Sequence, residues 1–187
     1  MAESAESAES ADAPRDPPHG GPHVHEYRTE LSWAGTTVVG YDAYDRSHRV
    51  STGSGAAPVD LSSDPAFGGD PARLNPEQLL VLAASSCQLL SFLAVAARAR
   101  LDVVAYTDDA EAVMPEDDPP TRITRIHLHP QVLLADTDRV RPAAERLLHL
   151  TEVAHRECYV ANSLRSDVVV TPTFSWRDDP PDPSGRA

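Results

Sequence analysis

The two cysteines are the residues of this chain whose chemistry stands out most. Cys87 lies in the longest apolar stretch of the sequence, and Cys158 follows a second helix-like segment. Two thiols are too few for the dense disulfide framework of a small secreted domain. Their helical contexts favour paired redox chemistry, in which both thiols are reduced at rest and any disulfide is transient.

A reactive Cys87 needs a neighbouring cation. The thiolate is the nucleophilic form of cysteine, and apolar surroundings favour the neutral thiol instead. Arg46 and Arg49 lie near a turn in the strand-rich N-terminal part, from which a side chain can point at a packed helix. The alternative hypothesis is that each cysteine is a small buried hydrophobic residue and each arginine is solvated.

Metal binding and hydrolysis are weaker hypotheses. His155 and Cys158 are spaced for one helix face, and with Cys87 they make three candidate ligands, to which His48, His127 or His129 would add a fourth. Structural zinc sites usually show two closely spaced ligand pairs, and only one is present here. The pair Ser85-Ser86 lacks the flanking glycines of a nucleophile elbow.

The composition argues against several partners. The net charge is −13, and every cation is an arginine. Such an acidic chain repels phosphate backbones and anionic membrane surfaces, so neither nucleic acid nor membrane is expected as a partner. The first twelve residues have neither the basic nor the apolar region of a secretory signal, so we expect a cytoplasmic protein.

One uncharged segment has the length of a membrane span. It runs from Gln78 to Ala97 and is twenty residues long, about what a bilayer requires. Polar residues interrupt it, several of them near its middle: Gln78, Ser85, Ser86, Gln88 and Ser91. We therefore favour the central helix of a globular core over a span.

The ends of the chain differ in composition from its middle. Residues 1–24 contain Ala-Glu-Ser repeats followed by prolines, and residues 177–187 are rich in Asp and Pro. Both are predicted to be disordered tails. The folded domain is predicted to span residues 25–176.

The pattern of the middle predicts an α+β domain. Strands are expected at 27–33, 36–44 and 49–52, with a long loop at 53–73. A long helix should begin after Asn75, a good N-cap followed by Pro76, and end near Arg100. Further strands are expected at 103–106, 110–114 and 123–134, then a second helix from 136–138 and a last strand at 167–176. The second helix is predicted to bury one face, whose residues recur at helical spacing: Val140, Ala144, Leu147, Thr151, Ala154 and Cys158. This order predicts mainly antiparallel meanders on either side of a buried central helix.

Two motifs resemble those of the OsmC/Ohr family of osmotically inducible and organic-hydroperoxide-resistance proteins. The first is Asn75-Pro76-Glu77-Gln78-Leu79-Leu80 through Ser86-Cys87, and the second is Cys158-Tyr159-Val160-Ala161-Asn162-Ser163. The resemblance covers roughly residues 25–174. It implies an OsmC-like fold, an intertwined homodimer with sites at the interface, and a thiol peroxidase acting on organic hydroperoxides.

The same resemblance implies roles for four residues. Cys87 matches the peroxidatic cysteine and Cys158 the resolving cysteine. Glu77 matches a glutamate that orients the active-site arginine, which is best matched by Arg46 and alternatively by Arg49. The implied reductant is a dithiol, often lipoyl on a partner protein, and no bound cofactor is required.

Helix geometry constrains this assignment. Ten residues separate Glu77 from Cys87, which on a straight helix is about 15 Å of rise and about 80° of rotation. Either Glu77 lies before the helix proper, or the site takes groups across a dimer interface. The second possibility predicts a homodimer whose two central helices are buried together.

The sequence departs from typical hydroperoxide-resistance members. Ser86 and Gln88 replace their Ala-Cys-Phe surroundings, and the second motif lacks their Cys-Pro-Tyr. These features match an OsmC-like branch in which peroxidase activity is less uniform. The alternative function is therefore a weakly catalytic or non-catalytic stress, redox-sensing or ligand-binding protein on the same scaffold.

Overall fold

A computed structural model describes residues 23–52, 55–135 and 141–177. It confirms the α+β class. The strands are β1 Thr29–Ser32, β2 His48–Thr52, β3 Val59–Leu61, β4 Val103–Asp108, β5 Glu111–Val113, β6 Arg125–Leu128, β7 Pro130–Leu134, β8 Asp167–Val170 and β9 Thr173–Trp176. The helices are α1 Pro76–Arg98, α2 Ala144–Arg156 and α3 Tyr159–Ser163. The predicted tails lie almost entirely outside the described residues.

The strands form three small sheets of three strands each, in the orders β1-β2-β3, β4-β7-β9 and β5-β6-β8. The pairings β1–β2, β2–β3, β4–β7 and β5–β6 are antiparallel, as predicted. The pairings β6–β8 and β7–β9 are parallel, which a simple meander does not contain. They arise because the chain returns through α2 and α3 before it pairs again.

The long helix α1 begins as predicted. The Asn75 side chain accepts a hydrogen bond from the Gln78 backbone N–H at 2.8 Å, and Gln78 Oε1 accepts one from the Asn75 backbone N–H at 3.0 Å. This reciprocal capping box satisfies two backbone donors, and Pro76 has no N–H to lose. The helix then runs unbroken past Cys87.

The core lies between α1, α2 and the sheets. One cluster joins Phe92 and Val95 of α1 to Leu134 of β7 and Leu147 of α2. A second joins Ala84 to Ile126 and Leu128 of β6. Burial of these side chains is the main favourable term that holds α1 in place.

Four local predictions are wrong. Residues 36–44 form turns rather than a strand, because Gly40 adopts a left-handed conformation (φ 96°) and its carbonyl accepts from Ala43 and Tyr44. The predicted loop at 53–73 contains β3 and a 3₁₀ turn at Pro65–Phe67. The stretches 123–134 and 167–176 are each divided into two strands.

The second helix also differs from its prediction. Its predicted start at 136–138 lies outside the described residues, and α2 begins at Ala144. Leu147, Thr151 and Ala154 are buried on one face as predicted, whereas Ala144 is exposed and Val140 lies outside the described residues. Cys158 is buried as well, but it lies beyond the end of α2.

Replacing Leu134 with alanine is expected to destabilise the domain by about 2–5 kcal/mol. Leu134 is fully buried among Phe92 and Leu147, so truncation leaves a cavity that the rigid sheet closes poorly. Urea unfolding followed by circular dichroism measures the change. Leu148→Ala, at a position that is 47% exposed, is the control and should cost less than about 1 kcal/mol.

Candidate functional site

The structure brings Cys87 and Cys158 together. The Cys158 thiol lies within hydrogen-bonding reach of the Cys87 side chain, and both cysteines are free. The two residues come from sequence segments that are seventy-one positions apart. The first is on the middle of α1 and the second immediately precedes α3.

Local backbone geometry places Cys158 there. Helix α2 ends at Arg156, and Cys158 then adopts an extended conformation (φ −74°, ψ 106°) as the N-cap of α3. The chain therefore turns at Cys158, and the short helix α3 packs against α1. The sequence analysis placed Cys158 on the face of α2 because its spacing from Ala154 continues the helical period. The burial was predicted correctly, but its cause was not.

A backbone amide of α3 contacts the first thiol. The Val160 N–H donates to Cys87 Sγ at 3.5 Å. This contact joins the first turn of α3 to the middle of α1. The sequence analysis missed Val160 because a backbone donor leaves no residue-type signature.

The two thiols have different environments. Cys158 is 1% exposed, whereas Cys87 is partly exposed. Burial raises the pKa of Cys158 to about 11, and the neighbouring Cys87 acts in the same direction while the N–H groups of Ala161 and Val160 oppose it. Cys158 is therefore a neutral thiol at pH 7.

Three side chains have a buried polar atom without a hydrogen-bond partner among the described residues. These atoms are Gln88 Oε1, the Tyr106 hydroxyl and His155 Nδ1. Tyr106 interacts electrostatically with Cys158. Burial raises the pKa of the Tyr106 hydroxyl, with smaller effects from Asp108 and Cys158.

Among the described residues of one chain, the contacts of Arg46 include neither cysteine. Arg46 is on the connection between β1 and β2, where its guanidinium stacks on Tyr41 and Tyr44 and donates to both of their backbone carbonyls. A Cβ at Gly68 would come within 3.0 Å of Arg46 Nη1, so this glycine makes room for the arginine. Arg46 also lines a groove of about 460 Å³, with Leu31, Trp33, Thr37, Tyr44 and His48.

Arg49, the competing candidate, has a different partner. It lies on β2 opposite Asp60 of β3 and forms a two-point ion pair with it, at 2.8 and 3.1 Å. This hydrogen bond lowers the pKa of Asp60 and raises that of Arg49. A guanidinium engaged in this way is a structural element of the small sheet.

Glu77 is in the first turn of α1, so it does not precede the helix. It lines a cleft of about 590 Å³ along the N-terminal half of α1, together with Leu82 and Ser85. Within the described residues no ion pair joins Glu77 to Arg46. Within the described residues, one chain therefore pairs the two cysteines but does not pair Arg46 with Glu77.

Neither a serine nucleophile at Ser85 nor a metal site that contains the cysteines receives geometric support. The Ser85 hydroxyl donates to Asp108 Oδ2 at 2.5 Å, and Asp108 Oδ1 accepts from the His129 backbone N–H, which makes this serine a structural link. In the part of the chain that the structure describes, the grouping with metal-ligand spacing contains Glu111, His127 and His129 and neither cysteine.

The face of α1 that points away from the core is apolar and exposed. By length and composition α1 is able to cross a membrane, with a mean hydropathy of 2.1. One face packs on the core, which confirms the predicted core helix on that side. The other exposes Leu82, Leu90 and Leu93, with exposed fractions of 53%, 64% and 38%. No side chain of the described residues covers this face, which is the side available for the predicted contact with a second central helix in a homodimer.

The sequence and the fold were compared with those of known proteins. No curated protein matches the sequence. Among solved structures, an OsmC-like protein of unknown function from Vibrio cholerae O1 biovar eltor is 27% identical, with a TM-score of 0.72, and covers 80% of this chain and 100% of its own.

Two more distant structures share the fold. An organic hydroperoxide resistance protein OsmC from Legionella pneumophila is 19% identical, with a TM-score of 0.60, over 82% of this chain and 99% of its own. An organic hydroperoxide resistance protein from Elizabethkingia anophelis is 18% identical, with a TM-score of 0.62, over 83% and 99%.

The OsmC-like protein family model matches residues 68–173, more than half of the chain. This range contains the helix with Cys87, the turn with Cys158, and Glu77. This match confirms the predicted OsmC-like fold. The chain belongs to the OsmC-like protein family, whose members include organic hydroperoxide resistance proteins.

Proposed function

We propose that this protein is a two-cysteine thiol peroxidase that reduces organic hydroperoxides. The observation that carries the proposal is the contact between the Cys87 and Cys158 side chains. Two thiols in contact can exchange between the dithiol and the disulfide without refolding of the surrounding helices. The family's link to hydroperoxide resistance favours a peroxide as the oxidant.

The reaction has three balanced steps. In the first step the Cys87 thiolate attacks the terminal peroxide oxygen and the O–O bond breaks. Cys87 becomes a sulfenic acid, and the alkoxide that leaves takes up a proton to give the alcohol. The Cys158 thiol condenses with that acid to form the disulfide and water. An external dithiol then reduces the disulfide and is itself oxidised.

Burial supports this assignment of roles. A peroxidatic cysteine must meet the substrate as a thiolate, whereas a resolving cysteine must wait protected. Cys87 is the more exposed of the pair and accepts the Val160 N–H. Cys158 is buried, and its raised pKa keeps it neutral, so a hydroperoxide in solution reacts with it slowly.

The charged residues complete the site in a homodimer. Arg46 of one protomer would contact Cys87 of the partner subunit, where the guanidinium stabilises the thiolate and polarises the peroxide. Glu77 would orient that guanidinium through a carboxylate pair. Two observations motivate this proposal. Among the described residues of one chain, the contacts of Arg46 include neither cysteine, and Arg46 borders an aromatic groove that suits an apolar hydroperoxide.

The exposed leucines of α1 supply the dimer interface in this proposal. Each leucine that becomes buried contributes about 1.5–3 kcal/mol. In a two-fold symmetric interface the same leucines of both protomers become buried. The reductant is proposed to be a dithiol such as a lipoyl group on another protein, in a cytoplasmic setting where thiols are kept reduced.

The substitution Leu90→Glu is expected to produce monomers. Leu90 is the most exposed of the three α1 leucines, so a carboxylate there is tolerated by the monomer and is costly to bury in the interface. Sedimentation velocity measures the shift from dimer to monomer. Leu148→Glu on the exposed side of α2 is the matched control and should leave the dimer intact. A Leu90→Glu protein that remains dimeric contradicts this interface.

One experiment tests the proposed function directly. The reduced protein receives one equivalent of an organic hydroperoxide, and its intact mass and free thiols are then measured. The proposal predicts loss of two hydrogen atoms and of both thiols within seconds. If both thiols survive an excess of hydroperoxide, the peroxidase proposal fails, and a non-catalytic binding or sensing function on the same scaffold replaces it.

A further inference from the structure

A second set of reactive side chains lies on β5 and β6, outside the cysteine pair. In β6, Ile126 and Leu128 are buried against α1 and His127 is partly exposed, as is His129, which directly follows the strand. Side chains alternate between the two faces of a strand, so the two histidines point away from the core on one face. Their spacing of two residues makes them neighbours.

The neighbouring strand adds a carboxylate. Glu111 of β5 lies directly opposite His127 in the antiparallel register. Glu111 Oε1 is 3.6 Å from His129 Nε2, and the two imidazole rings are 3.9 Å apart between centroids. One potential ligand atom from each of the three residues lies within 4.8 Å of the others. The sheet therefore places two imidazoles and one carboxylate around a common point.

Groups outside this trio hold both histidines in position. His127 Nε2 is 2.7 Å from the Thr171 hydroxyl. When this nitrogen carries the proton, the Nδ1 lone pair is the one that is free to bind a cation. The His129 backbone N–H donates to Asp108 at 2.7 Å, which fixes the end of β6. A ring hydrogen bond such as that of His127 orients an imidazole ligand in a metal site and sets its tautomer.

We propose that Glu111, His127 and His129 form a binding site for a divalent transition metal ion of the Zn²⁺ type. Two imidazoles and a carboxylate are a ligand set that suits zinc and related ions. Mg²⁺ and Ca²⁺ prefer oxygen ligands and are disfavoured here. In tetrahedral coordination the ligand atoms lie about 3.4 Å apart, so the trio has to contract slightly. Three protein ligands leave one coordination position for water or for another small ligand.

This site is independent of the proposed peroxidase chemistry. It contains none of the residues assigned to that reaction, and it lies on the face of β6 opposite the one that packs on α1. The side chains of Glu111 and His129 are 72% and 39% exposed, so an ion reaches them from solvent. An ion bound there would join β5 to β6 and stabilise a sheet edge.

Zinc titration of the untagged, reduced full-length protein tests the proposal. Isothermal titration calorimetry at pH 7.5 should detect one ion whose affinity falls by at least about tenfold in His127→Ala and in His129→Ala. His149→Ala is the matched control, because His149 pairs with Glu152 across one turn of α2 and has no third ligand. That variant should bind like the wild type.

Cobalt separates this site from the thiols. Co²⁺ bound by the proposed residues gives visible bands without sulfur charge-transfer absorption, and the His129→Ala variant should lose these bands. Circular dichroism confirms that each variant is folded. Unchanged affinity in both histidine variants, absence of binding, or cobalt spectra that show thiolate coordination each overturn the proposal.

Discussion

Replacing Cys158 with serine is expected to stop the reaction at its first intermediate. In this variant Cys87 still attacks the hydroperoxide, but no thiol is in contact to condense with the sulfenic acid. One equivalent of hydroperoxide should therefore add one oxygen atom to the protein mass and consume the remaining thiol. Turnover with a dithiol should fall sharply, since reduction must then proceed at a sulfenic acid held beside α3.

Cys87→Ser is the partner of this experiment and should have the larger effect. Removal of the nucleophile is expected to lower peroxide consumption by at least about 10³-fold, with no change in mass on exposure to one equivalent. Cys158 should remain a free thiol, because it is buried and neutral at pH 7. Rapid oxidation of Cys158 in this variant would reverse the assigned roles.

The sequence predicted the cysteine pair better than its setting. The two motifs indicated that the thiols act together, and the structure places them in contact. The Asn75 cap was readable because its chemistry is local to four residues. The turn at Cys158 was hidden, since its position continues the period of α2 although the helix ends at Arg156.

The boundary between the strands β6 and β7 was not predicted, for a comparable reason. The buried alternation runs without interruption from Ile126 to Leu134, although the strands β6 and β7 belong to different sheets. Only Pro130, at the first position of β7, marks the division. A periodic pattern reports which face is buried, and it carries no information on which neighbour each half pairs with.

The secondary structure of the N-terminal region was predicted incorrectly at residues 36–44. Its β-rich composition at 36–44 predicted a strand, yet Val38 and Val39 are exposed in turns. The exposed leucines of α1 form a second uncovered apolar surface. Exposed apolar patches of this kind are typical of interaction surfaces. The placement of Arg46 could not be read from the spacing of residues, because its guanidinium binds carbonyls of a turn that the composition did not reveal.

Replacing Arg46 with alanine is expected to lower the rate of Cys87 oxidation by about 10²-fold, as expected for loss of a charged group that stabilises a developing negative charge. The fold should tolerate the change, since Arg46 contacts the rings and carbonyls of an exposed connection. Stopped-flow measurement of thiol loss gives the rate. Arg49→Ala is the control, because Arg49 is paired with Asp60 and should leave the rate within about threefold of the wild type.

Mixed dimers determine whether Arg46 acts across the interface. Arg46→Ala and Cys87→Ser are each nearly inactive alone, but in a mixed dimer the intact Arg46 of one chain faces the intact Cys87 of the other. Co-refolding the two variants in equal amounts should restore about a quarter of wild-type activity, because half of the dimers are mixed and each has one complete site. If the arginine instead served the cysteine of its own chain, every site would lack one group and the mixture would stay inactive. Restored activity would therefore place the thiolate-stabilising cation on the neighbouring subunit and make dimerisation a requirement for catalysis.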